Sequence, residues 1–384
     1  MSQAEITKHA IDMSQYPELD PSPRLLLGPG PSMVPPRVLK AMAVPLIGHF
    51  DGEFHKILDR TQGLIRYVFE TQNEFTLSIS GAGNAAMDAA VGNVIEPGDP
   101  VLVCVAGFFA ARLVDMARRF GGDVEVLETT WGDIFYPHEI EAALKKRPAK
   151  VVVMVHGETS TGIEQPLDEI AKIVHAHGAL LVVDTVASLG GVPVRVDEVG
   201  IDVCYAGSQK GLSIPPGISP ITFSPRAVEV MKARKTPVPS YYLDMLELWK
   251  YWDPAQRVYH HTAPISMHFA FYEGLRIIAE EGLEARWARH KEAAQLLYQG
   301  IEELGLECFV PFERRLTTLT AVKIPEGVNG AEIQKRLLHK YHIEIGGGIG
   351  EKMKGKIWRI GLMGHSARRE NVTLLVAALK NLLR

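Results

Sequence analysis

Ala179-Leu180-Leu181-Val182-Val183-Asp184 is a continuous apolar run closed by an acid, and Ala206-Gly207-Ser208-Gln209-Lys210-Gly211 follows a second, mostly apolar run from Ile201 to Tyr205. Each run reads as a short buried strand. Continuous rather than alternating hydrophobicity marks strands covered on both faces, as in a parallel sheet flanked by helices. In open α/β sheets of that kind, ligands gather at the carboxyl ends of the strands. Asp184 and Lys210 fall at two such ends, so the fold would bring an acid and an amine to one crevice.

Outward from this pair the same pattern repeats. Val101 to Val105, Val124 to Leu127 and Val151 to Val155 read as strands, separated by helical spacing over Phe109 to Phe120, Pro137 to Lys145 and Leu167 to His177. Upstream, Phe54 to Phe69 has helical periodicity, Phe75 to Ile79 alternates like a strand, and Gly81-Ala82-Gly83-Asn84 opens an alanine-rich helix. Strict alternation of strand and helix predicts a mostly parallel sheet with right-handed crossovers. Residues 225 to 282 are richer in helix and carry the aromatics Tyr241, Tyr242, Trp249, Tyr251 and Trp252. Ile265 to about Leu304 is long helical sequence with a break at Gly282. Beyond it the pattern becomes α+β: a strand over Leu319 to Ile324, a helix over Ala331 to Tyr341, a strand over Ile357 to Leu362 and a last helix from Arg369. The expected division is a polar N-terminal arm (1–21), a large domain (22–282) and a small C-terminal domain (283–384).

Composition narrows the class. The chain has 384 residues, 46% of them hydrophobic, enough for a large core. A net charge of −4 with both signs interspersed points to neither nucleic acid nor an anionic membrane surface. Cys104, Cys204 and Cys308 lie far apart in apolar surroundings, so reduced thiols and a reducing compartment are expected. The first residues contain no apolar segment of a secretory signal, and no run approaches the roughly 20 residues of a membrane span. A cytoplasmic protein is expected.

A lysine after a strand is ordinarily a surface residue. Held among small residues and desolvated, however, its amine loses its proton more readily and can attack a carbonyl. Asp184 shifts the balance toward that second reading. An aspartate beside such a lysine is what the ring nitrogen of pyridoxal 5′-phosphate (PLP) requires, because the acid keeps that nitrogen protonated. The start of the helix at Gly81-Ala82-Gly83-Asn84 offers backbone N–H groups to a phosphate. The same segment satisfies GxGxxA, but no strand ending in an acid follows at the distance a dinucleotide ribose needs, so a monophosphate fits better than a dinucleotide. Leu25-Leu26-Leu27-Gly28-Pro29-Gly30-Pro31 is a short strand followed by a non-helical turn, whose glycines let backbone approach a ligand closely. His156-Gly157-Glu158-Thr159-Ser160-Thr161-Gly162 leaves another strand end with hydroxyl groups to offer. Tyr259-His260-His261-Thr262 reads as a ligand-lining or interface loop, since adjacent histidines diverge and no further cluster completes a metal site. Gly350 to Lys356 fits GxxxxGK, yet Ile357 stands where a phosphate-binding loop needs Ser or Thr and then a helix. Arg359, among apolar strand residues, wants a planar anion such as a carboxylate, or else an internal ion pair.

Leu27-Gly28-Pro29-Gly30-Pro31-Ser32, the 156–162 loop, Val183-Asp184-Thr185-Val186-Ala187-Ser188-Leu189-Gly190-Gly191, Gly207-Ser208-Gln209-Lys210 and Tyr259-His260-His261-Thr262 together resemble the class V PLP-dependent aminotransferases, nearest the alanine–glyoxylate and serine–pyruvate group. The resemblance spans nearly the whole chain. It implies an α/β protein of PLP fold-type I, with a mainly parallel seven-stranded sheet in the large domain, a smaller α+β C-terminal domain, and a homodimer with active sites at the subunit interface. It implies that Lys210 holds PLP covalently, Asp184 pairs with the ring nitrogen, Val186 packs on the ring and Thr159 bonds the ring hydroxyl. Gln209 and the turn Ala82-Gly83-Asn84 would hold the phosphate. Tyr259 and Thr262 would reach the phosphate bound by a neighbouring subunit. Arg359, with Gly30 nearby, would bind the substrate carboxylate. Ala82, Asn84 and Phe109 stand where serine, histidine and a stacking tryptophan are usual, and a phenyl ring can still stack with less area. The implied reaction moves the amino group of L-alanine or L-serine to glyoxylate or pyruvate. A ureidoglycine–glyoxylate or 2-aminoethylphosphonate–pyruvate type of aminotransferase is the alternative.

Overall fold

Strands that are apolar on both faces need helices on both, and the computed structural model, which describes residues 11–383, supplies them. Seven strands form the central sheet: β1 (Thr76–Ser80), β2 (Pro100–Val105), β3 (Asp123–Glu128), β4 (Val151–Val155), β5 (Leu180–Asp184), β6 (Val203–Tyr205) and β7 (Ile218–Phe223). Their order across the sheet is β1-β7-β6-β5-β4-β2-β3. All neighbours are parallel except β7, which runs antiparallel to both β1 and β6. Alternate side chains of one strand enter two different cores. Val151, Val153 and Val155 share a core with Phe54 and Leu58 from α1 (Gly52–Phe69) and with Ala86, Ala90 and Leu113 from α2 (Gly83–Val94) and α3 (Phe108–Arg119). Val152 and Met154 pack on the other face with Ile140, Ile170 and Val174, from helices Pro137–Lys146 and Asp168–Ala176. Each fully buried valine contributes roughly 1.5–3 kcal/mol over an exposed one. A charge at Val153, which is 0% exposed, would have no partner and would break the sheet at its centre.

The strand β7 is not evident in the sequence, because Pro220 sits in its middle and proline is seldom found inside a sheet. The structure shows why it is tolerated. The Pro220 carbonyl accepts from Ala206 N–H (3.1 Å), just past the end of β6, so the missing proline N–H also faces the place where that ladder opens.

The C-terminal part is a three-stranded antiparallel sheet, in the order β8 (Leu319–Lys323), β10 (Ile357–Gly361), β9 (Gly346–Gly347). Helices α5 (Leu283–Glu303), α6 (Gly330–Tyr341) and α7 (Arg369–Leu383) bury Leu297, Leu337 and Leu379 against it. Helix α4 (Ile265–Glu281) ends at Gly282, whose φ of 82° is the left-handed conformation that breaks the long helical run as expected. Leu25–Leu26 pairs in parallel with Ile343–Glu344, and Leu27 is buried beside Trp358 and Ile360. The segment that follows the expected arm therefore packs with the C-terminal layer, because two leucines cannot make a covered strand without that distant partner. Of the expected arm, residues 1–10 lie outside the described residues. Residues 11–21 are exposed, Leu19 at 98%.

Candidate active site

Asp184 is the last residue of β5 and lies opposite Tyr205, the last of β6. Cross-strand partners share a face, so the Tyr205 hydroxyl reaches across and donates to Asp184 Oδ2 at 2.9 Å, while Val186 N–H donates to Oδ1 at 2.8 Å. Burial pushes the Asp184 carboxyl up to about 6, and these two hydrogen bonds pull the other way. Lys210 follows β6 in a tight turn. Ser32 pins that turn from outside: its N–H donates to the Gln209 carbonyl (2.8 Å) and its hydroxyl to the Lys210 carbonyl (2.7 Å). Lys210 Nζ donates to the Pro29 carbonyl. Between these contacts sits Gly30, with φ of 106°, where a Cβ would fall 2.7 Å from Nζ. Burial, and then the positive charge of Arg359, push the lysine down to about 8, against the opposing pull of Asp184. This is the condition in which an amine can act as a nucleophile or base near neutrality.

A cavity of about 230 Å³ connects these groups. It is lined by Asp184, Val186, Gln209 and Lys210, and by Thr159, Phe109, Ala82, Gly83 and Asn84. Two glycines keep it open. A Cβ on Gly83 would lie 3.3 Å from Val186 Cγ2, and one on Gly207 would lie 3.0 Å from Gln209 Oε1. That Gln209 oxygen is buried without a hydrogen-bond partner, so the side-chain amide is unspent within the chain. At the Asn84 end, α2 begins with Ala82 as its N-cap residue and no side chain caps it, which leaves backbone N–H groups free for an anion. Arg112 donates to Asn84 Oδ1 at 2.9 Å and lies 5.2 Å from the centre of the Phe109 ring. An arginine can only donate, so it turns the Asn84 NH₂ group away from itself as a free donor. Arg359, on β10, donates to the carbonyls of Gly347 (2.6 Å) and Thr159 (3.3 Å), which joins the C-terminal sheet to the 156–162 loop. Burial lowers its guanidinium to about 10, and the rest of its donor fork is unspent.

The structure thus brings eleven sequence-predicted positions around one site (Gly30, Ala82, Gly83, Asn84, Phe109, Thr159, Asp184, Val186, Gln209 and Lys210, with Arg359 alongside), and Gly157 also lines it. Tyr259 and Thr262 are not among them. Tyr259 is 55% exposed and packs on His49 and Phe50, and Thr262 is also exposed, away from this chain's cavity. His260 and His261 face each other (Nδ1 to Nδ1, 2.7 Å), and among the described residues no group of three or more His, Cys, Asp or Glu is placed to share an ion. Gly350 to Lys356 is a turn leading into β10, not the start of a helix. Arg112 and Glu158 were not singled out in the sequence. Arg112's only signal was a cation one helical turn after Phe108-Phe109, and Glu158 lay inside a loop read for its hydroxyls.

An amine of lowered pKa and a buried acid at adjacent ends of a mainly parallel sheet, beside an uncapped helix start, define an α/β enzyme of carbonyl and amine chemistry. Residues 24–370 match the family model for aminotransferase class-V, and the chain belongs to that family. It is 43% identical over 363 residues to an alanine–glyoxylate aminotransferase of Oryctolagus cuniculus, covering 94% of this chain and 92% of that one. It is 40% identical over 389 residues to an (S)-ureidoglycine–glyoxylate transaminase of Bacillus subtilis, covering 97% and 93%. The solved structure of an alanine–glyoxylate aminotransferase from a Nostoc species superposes with a TM-score of 0.94 at 48% identity, covering 98% of this chain and all of that one.

Proposed function

We propose that this aminotransferase binds PLP at Lys210 and transfers the amino group of L-alanine, with L-serine as a second donor, to glyoxylate or pyruvate. The observation that carries the reading is Lys210, lowered to about 8 and facing the same cavity as Asp184. The residues fit the cofactor. Gly83 and Gly207 leave a slot that side chains would fill, the Gln209 amide lacks a partner, and the start of α2 is uncapped. When bound, PLP supplies a protonated ring that draws electrons from the α-carbon of an amino acid.

The chain's own groups then have separable tasks. Lys210 Nζ, able to lose its proton near neutrality, would hold the cofactor covalently; once released as the free amine it would take the proton from the substrate α-carbon. Asp184, ionised above about pH 6, keeps the ring nitrogen protonated, and Tyr205 and Val186 fix its two oxygens. Val186 and Phe109 both line the slot and would pack on the ring, and Thr159, also in its lining, would bond the ring hydroxyl. The α2 start, Asn84 and Gln209 hold the phosphate. Arg359 engages the substrate carboxylate in a fixed plane.

The homodimer belongs to the same proposal. Tyr241 (65% exposed), Tyr259 (55%), Leu46 (68%) and Phe50 (48%) are apolar side chains open on this chain's surface, and a second copy covering them would bring Tyr259 and Thr262 toward its neighbour's phosphate. The three buried thiols suit a reducing, cytoplasmic setting, which cell fractionation tests.

The test is the visible spectrum of the purified protein during additions of L-alanine, then glyoxylate. A yellow band that bleaches with alanine and returns with glyoxylate is the expected result. Bleaching by ureidoglycine alone would move the chain to the activity named for its Bacillus subtilis relative. No band after adding PLP would end the reading.

A further inference from the structure

Two helices begin at this cavity, and their starts are treated differently. The first turn of α2 is uncapped. The start of α3 is filled from inside the protein. Glu158 Oε2 accepts from Phe109 N–H and Ala110 N–H, both at 3.1 Å, and Oε1 accepts from Ser160 N–H at 2.9 Å. The Ser160 hydroxyl accepts from Phe108 N–H at 2.9 Å. Glu158 is 0% exposed, and among the described residues no cation forms a salt bridge with it. A helix start is usually capped locally, by a Ser, Thr or Asp at the N-cap position. Here the N-cap residue is Gly107, and any Cβ there would lie 2.3 Å from Glu158 Cγ and 2.5 Å from Ser160 Oγ. The chain has given up the local cap and uses one from a loop far along the sequence.

We infer that Glu158 is a positioning residue. It occupies the start of α3 so that an anion can dock only at α2, and it fixes the Phe109 ring relative to Thr159 and Arg359. The geometry carries this directly. One carboxylate grips the residue whose ring lines the slot. It belongs to the loop whose next residue, Thr159, also lines the slot, and the Thr159 carbonyl accepts from Arg359 Nη1 at 3.3 Å. Phe109, Thr159 and Arg359 come from three separate stretches of chain; Glu158 holds the first, precedes the second and is linked to the third through the Thr159 carbonyl. Its negative charge also raises the pKa of Arg359 against the effect of burial. A carboxylate on backbone N–H groups at a helix start repels a second anion there, so a bound phosphate is left one place to go. The inference rests on the PLP reading above and adds to it what sets the tilt of the ring and the placing of the arginine.

The experiment uses the holoenzyme of Glu158→Gln, which keeps the shape but loses the charge and turns one acceptor into a donor facing an N–H group. Three readouts are taken: the visible circular dichroism per bound cofactor, kcat and KM for L-alanine, and the melting temperature. The expected result is a retained absorption band, a dichroism amplitude reduced about twofold or more, and a KM raised about tenfold, with kcat less affected. Ser160→Ala removes the Phe108 tie and the hydroxyl's own bond to the Glu158 carboxylate, and should move the same readouts in the same direction by about twofold. It decides the matter if Glu158→Gln does not fold. A lowered melting temperature with wild-type dichroism and KM would reduce Glu158 to a plain helix cap and overturn the inference. A wild-type chain that shows no visible band overturns the cofactor reading, and the inference with it.

Discussion

At the Lys210 end of the cavity the functional groups are enclosed and already held. Asp184 is bonded by Tyr205 and Val186, Lys210 rests on the Pro29 carbonyl, and Arg359 is tied to Gly347 and Thr159. At the Asn84 end, Ala82 and Asn84 are exposed, the helix start is uncapped, and Tyr259 and Thr262 lie on open surface elsewhere. Burial does chemical work at the first end: it lowers the lysine, raises the aspartate and lowers the arginine. The second end has no such tuning and needs only donors. The contrast teaches that burial within one chain is enough to tune the groups at the first end, while the donors at the second stay open on this chain's surface.

The largest effect expected from this contrast is at Lys210. If Lys210 has the roles proposed for it, Lys210→Ala removes both the covalent anchor and the proton carrier, and turnover should fall about 1,000-fold or more. Wild-type rates would show that the enclosed end is not where the reaction occurs.

Asp184→Asn comes next and should act in opposite directions on rate and stability. Turnover should fall about 100-fold for want of a charge at the ring nitrogen. The cofactor-free protein should melt a few degrees higher at pH 7–8. The carboxyl's folded value of about 6 lies above its ordinary value of 3.8, so the folded state holds the proton more tightly. Stability contributed by this group is therefore full below about 3.8, declines as pH rises to about 6, and stays low above it. Asparagine removes that penalty, and the Tyr205 hydroxyl can turn to accept from it. A lower melting temperature across the whole pH range would contradict the claim that burial dominates at Asp184.

Arg359→Ala should raise KM for the amino donor about 10- to 100-fold, the worth of a charged hydrogen-bonded pair, with the visible band intact. Unchanged saturation would leave the arginine as a tie between the two sheets and nothing more. The smallest effect belongs to the open end. Thr262→Ala should weaken cofactor retention by a few fold, read by dialysis and absorbance, and dilution that separates subunits should do the same to the wild type. If neither changes retention, the open end is complete within one chain and the contrast fails there.

Much of the reacting end was legible because its chemistry is carried by residue type and strand position. An acid closing Leu180 to Val183, and a lysine among small residues after Tyr205, keep their meaning without coordinates. One strand and one pairing were hidden for physical reasons. Pro220 disguises β7, since the open ladder that excuses it exists only once β6 has ended beside it. Leu25–Leu26 read as a strand, but its partner Ile343–Glu344 did not show, because pairing at that separation leaves no local trace. Glu158 and Arg112 were missed because each has partners far along the chain: one reaches Phe109 and Ala110, the other Asn84.

That pairing of Leu25–Leu26 with Ile343–Glu344 has a consequence for how the protein is made. The Arg24 side chain bonds His342, a separation of 318 residues, so the start of the chain waits for nearly the whole of the rest. At ordinary elongation speeds this interval is roughly 15–60 s. The turn that follows, Gly28 to Pro31, supplies the wall against Lys210. A nascent chain can therefore build its central sheet on the ribosome and still lack a finished catalytic pocket, because the wall is fixed only when the last strands emerge and capture the first.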